Sequence, residues 1–141
     1  MKNKIQQALV GGIIATAAMS ALMFLYPFIG MPKMNPAEMV AMMMGMPIMV
    51  GWLIHFMVGI VFALIYAFLF IKVARKINNT ILKGTIFGIA VFIFAQIIMA
   101  MMSGMTKELP PSEGSMMLMM IGSILGHILF GVVVCLFVKE K

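Results

Sequence analysis

The sequence predicts an all-α, polytopic membrane protein: a bundle of four transmembrane helices with one short interfacial helix, forming a single domain over residues 1–141. Three observations carry that prediction. The chain is 64% hydrophobic and only 10% charged, where soluble domains hold roughly 25% charged residues. Its mean hydropathy is +1.15, which excludes a water-soluble fold and also disorder, since disordered chains are poor in apolar residues. The apolar residues fall into four runs, about 5–28, 48–71, 81–102 and 116–138, each near the ~20 residues that a helix needs to cross a bilayer. These runs are continuous rather than alternating, so backbone groups in lipid are satisfied by helices and not by barrel strands.

The first span follows Lys2 and Lys4, and Ala15-Thr16-Ala17 resembles a signal-peptide cleavage site. Two glycines interrupt the short apolar core that such a peptide would have, and the apolar run continues to Leu25. The segment therefore reads as an uncleaved helix. Ala8, Gly12, Thr16 and Ser20 give it a ridge of small residues at i+4 spacing, the usual means by which helices approach in lipid.

Asn35-Pro36-Ala37-Glu38 then combines a capping residue, proline at the first helical position and glutamate at the third. A short interfacial helix over about 36–44 is expected, closed by Gly45 and Pro47. Its Met39, Met42, Met43 and Met46 fall at i, i+3, i+4 and i+7, one apolar face.

In the second span Gly51, His55 and Gly59 share a face, with Trp52 and Tyr26 placed to anchor the interface. The connection from Lys72 to Thr80 is short and basic, and Asn78-Asn79-Thr80 supplies a turn and cap for the third span. There Gly84 and Gly88 extend towards Gln96. No helix is expected between Ser103 and Ser115, where Pro110-Pro111 and Gly114 lie. The fourth span carries Gly122-x3-Gly126, His127 and Gly131, and ends near Cys135, a lone cysteine read as packing.

Charge orients the bundle. Lys2, Lys4, Lys72, Arg75, Lys76, Lys83, Lys139 and Lys141 fall on one side of a four-span arrangement, and only Lys33 and Lys107 on the other. Positive residues favour the cytoplasm, so both termini are expected inside. The net charge of +6 is then a topology signal and not a nucleic-acid surface, although the basic face attracts anionic lipid headgroups. Shifting the chain by 72 residues aligns Gly12 with Gly84, Ala18 with Ala90, His55 with His127 and Gly59 with Gly131. A duplicated pair of helices is one explanation.

Two constellations bear on chemistry. At about 1.5 Å per residue, Ser20, His55, Gln96 and His127 fall at one depth, roughly 10 to 16 Å inside the outer ends. Polar groups at that depth are candidate ligand-binding residues, or they hydrogen-bond one another as interhelical glue. Sixteen of the 20 methionines cluster at or beyond the outer helix ends. Thioethers and imidazole suit Cu(I), so Met39, Met42, Met43 and Met46 with His55 and His127 are candidate metal ligands. Packing is the competing account, because methionine fills irregular gaps. Two imidazoles on facing helices also suit the axial positions of haem b. No carboxylate lies within a span, and neither a catalytic triad nor a phosphate loop is present.

Gly51-Trp52-Leu53-Ile54-His55-Phe56 with Gly59, His127-x3-Gly131, Gly12 and Thr16, and the methionine-containing segment with Gly45 and Pro47 together carry a resemblance. The chain resembles an uncharacterised family of small bacterial four-helix membrane proteins. That resemblance implies a bacterial inner-membrane location and four spans, with no activity attached. The expected function is a non-enzymatic accessory or scaffolding subunit, its partners being the lipid bilayer and other membrane subunits or a second copy. Cu(I) handling and bis-histidine haem b binding are the alternatives.

Overall fold

The computed structural model describes residues 2–103 and 114–139. Every element among them is helical. Helix α1 spans Lys2–Leu25 and passes through a 3-10 turn, Tyr26–Ile29, to Gly30, whose φ of 78° ends it. Helix α2 is Pro36–Met44. Helix α3, Ile48–Ile65, continues through a π-helical turn, Tyr66–Phe70, into the short α4, Ile71–Val73. Helices α5 and α6 are Thr80–Ser103 and Met116–Phe137. Four stretches are long and apolar enough to cross a membrane: Asn3–Ile29, Ile48–Lys76, Thr80–Met102 and Met116–Phe137. Most of the expected loop between Ser103 and Ser115, with Met105, Lys107, Glu108, Pro110, Pro111 and Glu113, lies outside the described residues, as do Glu140 and Lys141.

The helix ends follow from local chemistry. Asn35 Oδ1 accepts the Glu38 N–H at 3.2 Å, with Pro36 in the first turn, and Gly45 closes α2 at φ 62°. Asn79 Oδ1 accepts from the N–H groups of Ile81 (2.9 Å) and Leu82 (3.1 Å), which starts α5 at Thr80.

Packing is ordered by small residues. Helix α1 buries two adjacent ridges. Gly12, Thr16 and Ser20 meet α3, with Ala8 buried on the same ridge, while Gly11, Ala15, Met19 and Met23 lie on the side of α6. Helix α6 is likewise two-sided, with Gly122 and Gly126 towards α1 and Gly131 towards α5. The antiparallel pair α1 and α6 is thus central, with α3 on one flank and α5 on the other. Aromatic rings fill the wider junction between the flanking helices: Phe62–Phe94 at 5.5 Å and Tyr66–Phe87 and Phe70–Phe87 at 5.0 Å. Tyr66 Oη and Cys135 Sγ, 2.6 Å apart, tie the same region to α6.

The contacts of the two flanking pairs correspond at the 72-residue offset. A Cβ added to Gly12 would lie 2.9 Å from Ile60 Cα and 3.1 Å from the Gly59 oxygen; on Gly84 it would lie 2.5 Å from Val132 Cα and 2.9 Å from the Gly131 oxygen. Thr16 presses on Gly59 as Gly88 presses on Gly131. Ser20 meets His55, and Phe92, at the corresponding place, meets His127. The pair α1/α3 and the pair α5/α6 therefore dock through the same positions, which supports duplication of a two-helix unit far better than the sparse sequence identity does.

One expectation is corrected. Tyr26 is not an exposed interfacial anchor: it is buried, and its hydroxyl donates to the Gly122 carbonyl at 2.7 Å, joining the end of α1 to α6. Helix α2 docks on α3 through its alanines and not through the methionine stripe. At 3.6 residues per turn, Met39, Met42 and Met43 lie on the side away from Ala37 and Ala41, the two residues that pack on Gly51 of α3. Met42 and Met46 are exposed, Met43 is buried and Met39 is half-buried.

Candidate functional site

The expected polar layer does not form one network. On the buried ridge of α1, Ser20 sits one turn beyond Thr16, and Gly59 and Gly12 bring α3 close enough for His55 to reach it. Ser20 Oγ and His55 Nε2 are 3.2 Å apart. Trp52 packs edge-on to the His55 ring at a centroid distance of 6.2 Å and is itself flanked by Phe24 and Phe56. The histidine is thereby held between a hydroxyl on one helix and an aromatic group on its own.

His127 is held differently. Its Nδ1 lies 2.7 Å from the Ser123 carbonyl one turn earlier. A carbonyl only accepts, so Nδ1 carries the proton, and Nε2 of the neutral ring keeps its lone pair. Phe92 packs edge-on to this imidazole at 5.7 Å. Among the described residues no buried side-chain nitrogen or oxygen lacks a hydrogen-bond partner, and Nδ1 makes the one bond described for His127. Nε2 is thus accessible rather than sealed in the core.

Gln96 is half-buried and stands one turn beyond Phe92 on α5; none of the described hydrogen bonds ties it to Ser20, His55 or His127. The layer is therefore one interhelical pair, one self-satisfied histidine and a separate amide.

The thioethers that share the interior with this layer are not those the spacing in α2 singled out. Met19 and Met23 of α1 fill the space left by Gly126, and Met34 Sδ and Met31 Cε lie 2.9 and 3.2 Å from where a Gly122 side chain would begin. Met19, Met23 and Met34 are buried. Met31 and Met34 belong to the outer methionine cluster read from the sequence, whereas Met19 and Met23 were missed; they complete the Gly11-Ala15 ridge at the same i+4 spacing as the ridge beside it.

Chemically, His127 Nε2 is a free donor of the type that binds soft or borderline metals, oriented by a backbone carbonyl as metal-bound imidazoles commonly are. His55 Nε2 ligates only if its contact with Ser20 is given up. Among the described residues no three His, Cys, Asp or Glu side chains converge, so further ligands to a metal would be thioethers. For haem b, both Nε2 atoms would have to face one iron, which again requires His55 to leave Ser20.

The chain matches, over residues 2–140, a family described as a family of unknown function, DUF6789, and it belongs to that family. No curated protein and no solved structure matches it.

Proposed function

We propose that the chain is a small multi-pass accessory or scaffolding subunit of a larger membrane complex, without enzymatic activity, in the bacterial cytoplasmic membrane with both termini inside. One observation carries this reading: the side chains able to do chemistry at membrane depth are largely engaged in holding helices. Ser20 binds His55, the Tyr26 hydroxyl binds the α6 backbone, and Tyr66 binds Cys135. What the bundle presents outward is apolar. On α3 and its π-helical continuation, Met49, Leu53, Met57, Val61, Ile65 and Leu69 form an exposed ridge at i+4 spacing, a surface fitted to lipid or to another membrane helix. The orientation rests on Lys4, Lys72, Arg75, Lys76, Lys83 and Lys139, which gather at the end where α1 begins and α6 finishes. Purification in a gentle detergent is expected to recover the chain within a larger assembly. A monodisperse monomer or homo-oligomer without a co-purifying protein overturns the reading.

The accessible lone pair of His127, beside a helix that packs against four thioethers, favours a second reading, the handling of Cu(I) or another soft cation. Under it, protein loaded with Cu(I) in the presence of a reductant retains about one equivalent after desalting, and His127→Ala loses most of it. Equal retention by wild type and variant would rule this out. A visible spectrum of the same preparation tests haem b through its Soret band.

A further inference from the structure

A cavity of about 280 Å³ opens at the basic end of the bundle, between the start of α5 and the end of α6. Thr80, Lys83, Cys135, Leu136, Val138 and Lys139 line it. Its walls are of two kinds. Lys83 and Lys139 bring ammonium groups and Thr80 a hydroxyl, whereas Leu136 and Val138, with Cys135, make an apolar side.

Lys83 is the unusual member. It stands one turn inside a membrane-length helix and is only 9% exposed. Gly84 beside it packs on the backbone of Val132, which fixes this turn of α5 against α6. Lys139 is positioned from the other side, since its N–H donates to Gln7 Oε1 of α1 at 3.2 Å as the chain leaves α6. The first N–H groups of α5 are taken by Asn79. At the same end of the bundle, Lys4, Lys72, Arg75 and Lys76 raise the local concentration of anions.

We propose that this cavity binds a phosphate-bearing anion, the phosphate seated by Lys83, Lys139 and Thr80. The apolar wall fits the glycerol and acyl portion of an anionic phospholipid, and a basic pocket between helices at the membrane edge is a recognised setting for such headgroups. Free inorganic phosphate shares the same chemistry. The proposal is independent of the scaffolding reading, because a lone bundle and a complexed one present the same cavity.

Native mass spectrometry of the full chain tests it, with phosphatidylglycerol, phosphatidylcholine and inorganic phosphate as separate probes. Wild type is expected to retain phosphatidylglycerol about tenfold better than phosphatidylcholine, and Lys139→Gln combined with Thr80→Val removes most of that preference. Lys72→Gln, a cation outside the cavity, keeps it. Lys83→Gln gives the same loss, provided its thermal midpoint shows a folded chain. Retention of inorganic phosphate that depends on the same residues, without a lipid preference, supports the anion site with the free ion as its ligand. Loss of the preference in Lys72→Gln equal to that in the cavity variant, or no binding of either phosphate probe, overturns the proposal.

Discussion

Gly131→Ala is expected to lower the stability of the bundle by about 3 kcal/mol, the upper end of the usual cost of overpacking, read from denaturant unfolding of the detergent-solubilised chain. The cause is backbone against backbone. The new methyl would enter the space held by the Gly84 oxygen and the Gly88 nitrogen, and it would lie 2.7 Å from Gly88 Cα. No side chain on α5 can be trimmed to receive it, so α5 and α6 must separate and their other contacts weaken. The corresponding substitution in the first half, Gly59→Ala, runs into the hydroxyl of Thr16 instead. Adding Thr16→Ala should recover at least half of that loss, because the Thr16 hydroxyl bonds only the Gly12 carbonyl of its own helix, a bond that contributes little to stability. Ile93→Ala, at an outward and exposed position, gives the baseline. If Gly131→Ala behaves like Ile93→Ala, the close seam between α5 and α6 does not hold the fold together.

Those seams explain what the sequence could and could not tell. The four spans were legible because length and continuous apolarity are one-dimensional properties, and lipid leaves helices as the response to them. Helix α2 was legible for another local reason: Asn35, Pro36, Glu38 and Gly45 act on their own backbone. Which face a helix buries was harder to read, because in a membrane both faces are apolar and periodicity no longer separates inside from outside. Small residues were the surviving signal. It identified Gly12, Thr16, Gly59, Gly84, Gly88 and Gly131, whose contacts now group them into two equivalent seams. It was applied to one ridge of α1, so Gly11, Ala15, Met19 and Met23, and with them the central role of α1 against α6, were passed over.

The polar layer shows the same limit. Depth along a helix follows from residue count, so Ser20, His55, Gln96 and His127 were placed at one level without any structure. Rotation about the helix axis does not follow from that count. It decides that Ser20 reaches His55, that His127 turns to its own backbone carbonyl and packs against Phe92, and that Gln96 joins neither. The face by which α2 docks was illegible for a related reason. The spacing of its methionines correctly gives a stripe, but alanines at 37 and 41 permit a closer approach to Gly51 than any thioether would, and close approach selects the docked face.

That last contact carries the second large effect. Gly51→Leu is expected to release α2 from α3 while the transmembrane bundle stays folded. The absent side chain of Gly51 faces the Ala37 carbonyl, and a Cβ there would lie 2.9 Å from the Ala41 Cβ, so a leucine leaves α2 no place to sit. At nine residues, α2 is too short to persist as an isolated helix, and its Asn35 cap contributes only about 1 kcal/mol. Undocking should therefore unwind it. Amide hydrogen exchange reads this directly: protection over residues 40–44 should fall by about tenfold or more, with α5 and α6 unchanged. The two seams use no residue of α2, so the unfolding midpoint of the bundle should move little. Unchanged exchange in α2 would mean that Gly51 is not its anchor, and loss of the whole bundle would mean that α2 is an integral part of the fold. The expected outcome leaves a folded bundle that has lost its ordered α2, and with it the docked placement of Met42 and Met44, both exposed in the native chain. Comparing that variant with wild type for complex recovery and for retained copper would then assign each property either to α2 or to the four spans.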